Sequence, residues 1–198
     1  MHLNQLKIGV RLGLLGAFFF AALMVVAATG WLSMQAASTR SAAALARSVA
    51  LSEAIDTARS AQVTFKIHVQ DWKDILLRGN DPAALAKYRD AFAGSSTSTR
   101  AQLQALDAKL AALGLSTPLV AESLRTQVTL DANYLTALRQ YDSSRTDSAH
   151  VVDALVKGMD REPTRKIDDI VAFIGVQTQR LTVDMALKTP APTATPPW

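Results

Sequence analysis

The amino-acid sequence predicts an all-α protein in which an N-terminal transmembrane helix continues into an up-down antiparallel four-helix bundle. Three observations predict this fold class. An uncharged apolar run covers residues 12–33. Apolar residues recur three and four positions apart through most of the following chain, as they do on the inner faces of packed helices. Glycine and proline stand mainly at the predicted helix boundaries.

The apolar run "LGLLGAFFFAALMVVAATGWLS" has the length that a helix needs to cross a bilayer. Lys7 and Arg11 precede it. The positive-inside rule therefore predicts that residues 1–11 are cytoplasmic and that the chain crosses the inner membrane once, with its C-terminal part in the periplasm. The competing interpretation is a signal peptide cleaved near Ala36. The run exceeds the signal-peptide core of about 7–15 residues, which favours an anchor.

The transmembrane helix is predicted to run without interruption into the first bundle helix, which ends at "LLRGNDP". There Gly79 is the predicted C-terminal cap, and Asp81 and Pro82 are the N-cap and the first residue of the second helix. The predicted inner face of the first helix consists of Ser48, Leu51, Ile55, Ala58, Gln62, Phe65, Val69, Trp72 and Leu76.

The remaining helices are predicted at 82–113, at 118–143, around 151–159 and from Pro163 onward. Gly114 closes the first of these, and Thr117 with Pro118 opens the next. Short connections make successive helices antiparallel neighbours, so residues 34–188 are predicted to form one bundle. Its inner faces are predicted to contain Leu85, Tyr88, Phe92, Ser96, Thr99, Leu103, Leu106, Leu110 and Leu113, then Leu124, Val128, Asp131, Leu135 and Leu138, and finally Ile167, Ile170 or Val171, Ile174, Thr178, Leu181 and Met185. The tail "TPAPTATPPW" at 189–198 is predicted to be Pro-rich and disordered.

Composition argues against several functional classes. The chain has no cysteine, and its three histidines lie far apart without the spacing of metal ligands. The net charge of +4 is too small and too scattered to favour a nucleic-acid partner. Phosphate-binding loops and nucleophile elbows are missing from the sequence. We therefore predict a protein that is not an enzyme and that uses no cofactor or metal.

Counting residues from the predicted turns, at about 1.5 Å of rise each, places a polar layer inside the bundle. The layer comprises Gln62, Ser96, Thr99, Thr129 and Thr178, with Arg125 just below it. We predict that these six residues bind a small ligand, with Arg125 pairing with a carboxylate. Two alternatives stay open: a buried polar layer also serves to fix helix register, and Ser and Thr hydroxyls also bond to their own helix.

Tyr134 and Arg139 are secondary candidates. Arg139 lies on the helical side that Arg125 occupies, and two arginines suit a dicarboxylate, although such residues are more often a solvated face. Lys73, Arg78 and Lys87 form a further basic cluster near the first predicted turn, while Trp72 reads as a core residue and His68 as a flanking one. Asp131 needs a partner if it is buried.

The stretches "LKIGVRLGLLGAFF", "VQDWKDILLRGNDPAALAKY" and "VDALVKGMDREPTRKIDDIV" resemble bacterial methyl-accepting chemotaxis proteins that carry a periplasmic four-helix-bundle sensor domain. The resemblance extends over about residues 1–187. It implies a dimeric membrane receptor that binds an organic acid or an amino acid between its helices. It also implies that binding displaces the last helix slightly toward the membrane.

The sequence departs from that family after Lys188, where a second span, a HAMP linker and a cytoplasmic signalling hairpin would follow. We expect a receptor truncated before its signalling half; a frameshifted remnant or a standalone subunit would have the same sequence. The sequence thus predicts a membrane-anchored ligand-sensing domain with a homodimer or receptor partner. The alternative is a helical dimerisation or scaffold module without a small ligand.

Overall fold

The computed structural model describes residues 8–188, and all regular secondary structure in that range is helical. The helices are α1 (Ile8–Arg78), α2 (Pro82–Ala112), α3 (Pro118–Leu138), α4 (Ser148–Val156) and α5 (Arg161–Lys188). The predicted all-α class and the uninterrupted first helix are confirmed. The prediction for the tail and the position of Lys7 lie outside the described residues, as do the side chains of Arg11 and Met185.

The helix boundaries differ from the prediction chiefly around α4. Helix α3 ends at Leu138 rather than Ser143, and α5 begins at Arg161, ahead of Pro163. Proline lacks a backbone N–H, but the first turn of a helix needs none, so Pro163 is accommodated within that turn.

The chain divides into two compact units, residues 1–46 and 47–198. In the first unit, the described part of α1 contains a segment that is long and apolar enough to span a membrane. Its large side chains, among them Phe18, Phe19 and Phe20, are exposed in the isolated chain. A membrane-spanning anchor and a signal sequence share these properties.

In the second unit, side-chain caps start α2 and α3 at the predicted residues. The Asp81 carboxylate accepts a hydrogen bond from the backbone N–H of Ala83 at 2.8 Å. The hydroxyl of Thr117 accepts one from the backbone N–H of Leu119 at 3.3 Å. Each cap satisfies one of the N–H groups that have no partner in the first turn of a helix.

Two apolar clusters form the core of the second unit. One contains Phe65, Trp72, Ile75, Leu76, Phe92, Leu130, Tyr134, Ala137, Leu138, Val152, Val156 and Ile167. The other contains Leu51, Ala54, Ala58, Ala61, Leu103, Leu106, Leu110, Val120, Ile170 and Ile174. Helices α1, α2, α3 and α5 contribute to both. Burial of these side chains is the main source of stability for the helices, which packing rather than propensity holds in place.

The inner face of α3 is rotated relative to the prediction. Its buried residues are Val120, Ser123, Gln127, Leu130, Tyr134, Ala137 and Leu138. Val128 and Leu135, predicted to face inward, are each 51% exposed. A shift of one residue turns a helix by about 100°. The prediction was wrong because the interior positions include the polar Ser123 and Gln127, which an apolar pattern passes over.

Gly79 follows α1, but it does not adopt the left-handed conformation of a typical glycine cap; Gly114 and Gly158 do so among the described residues, at φ values of 69° and 76°. Instead, Gly79 permits a close approach. A Cβ atom built on it would lie 2.4 Å from the carbonyl oxygen of Ile75 and 3.0 Å from the hydroxyl of Tyr141. Any side chain at position 79 would therefore displace the end of α1.

We expect Gly79→Ala to destabilise the protein by about 1–3 kcal/mol, because the added methyl group overlaps a backbone oxygen. Gly94→Ala is the matched control: nothing lies within 4 Å of its Cβ position in α2. That change should stabilise the helix by about 0.5–1 kcal/mol. Urea unfolding of the full chain in detergent, followed by circular dichroism, measures both. Equal stability of the two variants would contradict the close approach at Gly79.

Candidate functional site

A fully buried histidine joins three helices. His68 of α1 is 0% exposed, so the prediction that it is a flanking residue is wrong. Its Nε2 lies 2.8 Å from Oδ1 of Asp131 in α3. Its Nδ1 lies 3.2 Å from the carbonyl oxygen of Phe92 in α2. The imidazole ring also stacks on the Phe92 ring, with centroids 4.2 Å apart. Carboxylate and carbonyl oxygens only accept hydrogen bonds, so the imidazole is the donor in each of these two contacts.

The hydrogen bonds of His68 continue into α2. The second oxygen of Asp131 accepts a 2.5 Å hydrogen bond from the hydroxyl of Ser96. The hydroxyl of Ser95, 3.3 Å from His68 Nδ1, donates to Asp71 at 2.7 Å. We call these residues the His68 network: His68, Asp71, Ser95, Ser96 and Asp131. The network supplies the partner that the mostly buried carboxylate of Asp131 requires.

The polar layer predicted from the sequence is not assembled as one interior layer. Ser96 and Thr99 are buried, Gln62 and Thr178 are half-buried, and Arg125 and Thr129 are exposed. The rotation of α3 turns the last two outward. The amide of Gln62 donates to Asp168. The hydroxyls of Thr99, Thr129 and Thr178 donate to carbonyls of their own helices, at Ser95, Arg125 and Ile174. Only Ser96 enters the His68 network.

The two secondary candidates, Tyr134 and Arg139, lie in different surroundings. Arg139 is exposed, whereas Tyr134 is buried beside a cleft of about 230 Å³ that we call the α1–α3–α4 cleft. It is lined by Val69, Trp72, Lys73, Tyr134, Asp153, Val156, Lys157, Gly158, Asp160 and Arg161. Sequence reasoning picked out Tyr134 and Lys73 but missed the carboxylates. No pattern in the sequence indicates that the short helix α4 and the turn after it close over α1.

The α1–α3–α4 cleft holds charges of both signs. Lys73, Lys157 and Arg161 contribute cations, and Asp153 and Asp160 contribute carboxylates. Within residues 8–188, none of these five side chains forms an ion pair within 4.0 Å. Charged groups that line one cleft without direct pairing are available to a bound molecule that carries both charges.

An aromatic pair lies beside these charges. The rings of Trp72 and Tyr134 stack with centroids 4.3 Å apart. Trp72 is 2% exposed, and its buried Nε1 has no hydrogen-bond partner among the described residues. Burial raises the pKa of the Tyr134 hydroxyl, and the nearby carboxylates of Asp160 and Asp153 raise it further. The hydroxyl therefore stays protonated and remains a hydrogen-bond donor at neutral pH.

Comparison with known proteins adds no relative: no protein-family model, no curated protein and no solved structure matches this chain significantly.

We expect Ser96→Ala to cost about 1–3 kcal/mol of stability, since it removes a partner from the mostly buried carboxylate of Asp131. Thr99→Val is the matched control on the same helix, because the hydroxyl of Thr99 bonds only to its own helix. That variant should change stability by less than about 1 kcal/mol. Thermal unfolding of the full chain measures both. A larger loss for Thr99→Val than for Ser96→Ala would show that the His68 network does not stabilise the fold.

Proposed function

We propose that this protein is a membrane-anchored, ligand-sensing domain of the chemoreceptor type. In this proposal α1 crosses the inner membrane once, and residues 34–188 form an up-down four-helix bundle in the periplasm. The bundle binds a small molecule that carries a carboxylate. The protein is a receptor input rather than an enzyme.

Two features of α1 support an anchored sensor. Its N-terminal part is long and apolar enough to span a bilayer. The same uninterrupted helix carries Val69, Trp72 and Lys73, which line the α1–α3–α4 cleft. A change at the cleft therefore acts on the helix that enters the membrane.

The unpaired charges of the α1–α3–α4 cleft are the observation that carries the proposal. They suit a zwitterion such as an α-amino acid. Arg161 is the first residue of α5, where the helix dipole also favours a carboxylate, and Lys157 directly follows α4. Asp153 and Asp160 offer oxygens to an ammonium group. The apolar part of the ligand then lies against Val69, Val156 and the aromatic pair.

Signalling follows from which helices the ligand touches. The cleft is lined by α1, α3, α4 and the first residue of α5. A ligand that pairs with charges on several helices favours the packing in which those charges converge. Binding shifts the equilibrium between two packings only by the difference in affinity for them. The proposed response is a small movement of α5 relative to α1.

One observation favours the alternative function, a dimerisation module. Val49, Val63 and Ile67 are all exposed on α1. Val49 and Val63 lie two heptads apart, and Ile67 lies one turn further, so the three share one side of the helix. Pairing of α1 with a second copy would cover them without any ligand.

The ligand proposal is tested by thermal unfolding of the full chain in detergent against amino acids, the corresponding acids without the amine, and the corresponding amines without the carboxylate. We expect an amino acid to stabilise the protein, by about 2.7 kcal/mol at one hundred times its Kd. Compounds with one charge should act more weakly. The double variant Asp153→Asn, Lys157→Gln should lose the effect, whereas Arg125→Ala, an exposed change on α3, should keep it.

Two results would contradict this site. If only Arg125→Ala abolished the stabilisation by the amino acid, the ligand would instead bind at the polar layer predicted from the sequence. If none of the compounds raises the Tm, and the Tm rises only with protein concentration, the dimerisation module would be supported.

The membrane topology is tested by single cysteines, which the chain otherwise lacks. We expect a membrane-impermeant thiol reagent to label Gln140→Cys in intact spheroplasts. The control Asn4→Cys should be labelled only after lysis, because the N-terminus is cytoplasmic in the proposal. A mature protein that has lost its first residues near Ala36, seen by intact-mass measurement, would instead establish a cleaved signal peptide.

A further inference from the structure

A second cavity, of about 260 Å³, lies between α2 and α3, away from the α1–α3–α4 cleft. We call it the α2–α3 groove. It is lined by Arg89, Phe92, Ala93, Ser96, Thr97, Arg100, Asp131, Leu135 and Leu138. It shares no lining residue with the α1–α3–α4 cleft.

Two arginines on α2 line the groove. Arg89 and Arg100 are eleven residues apart, which is about three helical turns, so both project from one side of α2 about 16 Å apart along the axis. Among the described residues, neither forms an ion pair within 4.0 Å. The groove therefore offers two separate guanidinium groups, each able to bind one carboxylate.

The wall between the arginines is mainly apolar. Phe92, Leu135 and Leu138 line it. Leu135 is half exposed there, although the other large apolar residues of the wall are buried. An alkyl chain along this wall would cover Leu135 and remove apolar surface from water.

The middle of the groove also carries a negative charge. The carboxylate of Asp131 lines it, and both of its oxygens are engaged, one by His68 and one by Ser96. Its negative charge disfavours an anion placed beside it. A ligand with a carboxylate at its centre is therefore disfavoured, whereas a ligand with carboxylates at its two ends keeps both of them away from Asp131.

We propose that the α2–α3 groove binds a linear α,ω-dicarboxylate, with one carboxylate on Arg89, the other on Arg100 and the alkyl chain against Phe92, Leu135 and Leu138. This site is independent of the amino-acid site in the α1–α3–α4 cleft. The ligand lies against Ser96 and Asp131, whose hydrogen bonds lead through His68 to α1. The groove thus gives a second small molecule access to the helix that enters the membrane.

Calorimetric titration of the full chain in detergent tests the proposal with octanedioate, butanedioate and octanoate. Octanedioate should bind roughly tenfold or more tightly than either other compound. Butanedioate is too short to reach both arginines, and octanoate has only one carboxylate. Arg89→Ala and Arg100→Ala should each weaken octanedioate to the level of octanoate. Arg125→Ala, which removes an exposed arginine outside the groove, should leave binding unchanged.

Three outcomes would overturn the proposal: equal affinity for octanedioate and octanoate, octanedioate binding that survives both arginine substitutions, or no heat of binding up to about 5 mM. Arg89→Lys and Arg100→Lys guard against a folding artefact, since they keep the charge and should retain part of the affinity. Octanedioate binding that persists in Asp153→Asn, Lys157→Gln separates this site from the proposed amino-acid site. Loss of octanedioate binding in that double variant would count against the groove.

Discussion

The hydrogen bond between His68 and Asp131 is the contact on which the arrangement of α1, α2 and α3 depends. An imidazole with no exposed surface and a carboxylate that is mostly buried are each costly to leave without partners. His68 needs α2 and α3 at fixed heights, because Phe92 and Asp131 bond its two nitrogens. Sliding or rotating either helix by one residue breaks these bonds. A polar contact of this kind specifies register more sharply than apolar packing does.

The two apolar clusters and the His68 network stabilise the fold in different ways. The clusters supply the buried area, and similar area would be buried in several registers. The His68 network selects one of these registers. That choice places Tyr134 beside Trp72 and turns Arg125 toward solvent. It also sets the outer faces of α2 and α3, and so the positions of Arg89, Arg100 and Leu135 around the α2–α3 groove.

Much of the fold was predictable because its signals are local. The caps at Asp81 and Thr117 depend on residues two positions away. The apolar face of α2 was nearly complete in the sequence, since Ser96 and Thr99 kept the helical spacing between Phe92 and Leu103. The face of α3 was not predictable in this way, because Ser123 and Gln127 occupy interior positions there. Gln127 is accommodated inside because α2 supplies a partner: its amide donates to the carbonyl oxygen of Ser96.

Local patterns in the amino-acid chain were thus enough to specify the helical class, the apolar N-terminal segment and the turns at Gly79 and Gly114. These features depend on the spacing and backbone preferences of neighbouring residues. The candidate sites depended on long-range packing instead. His68, Ser96 and Asp131 are distant in sequence, as are Lys73, Asp153 and Arg161. Which of them meet follows from the rotation of each helix about its axis, and buried hydrogen bonds between helices set that rotation.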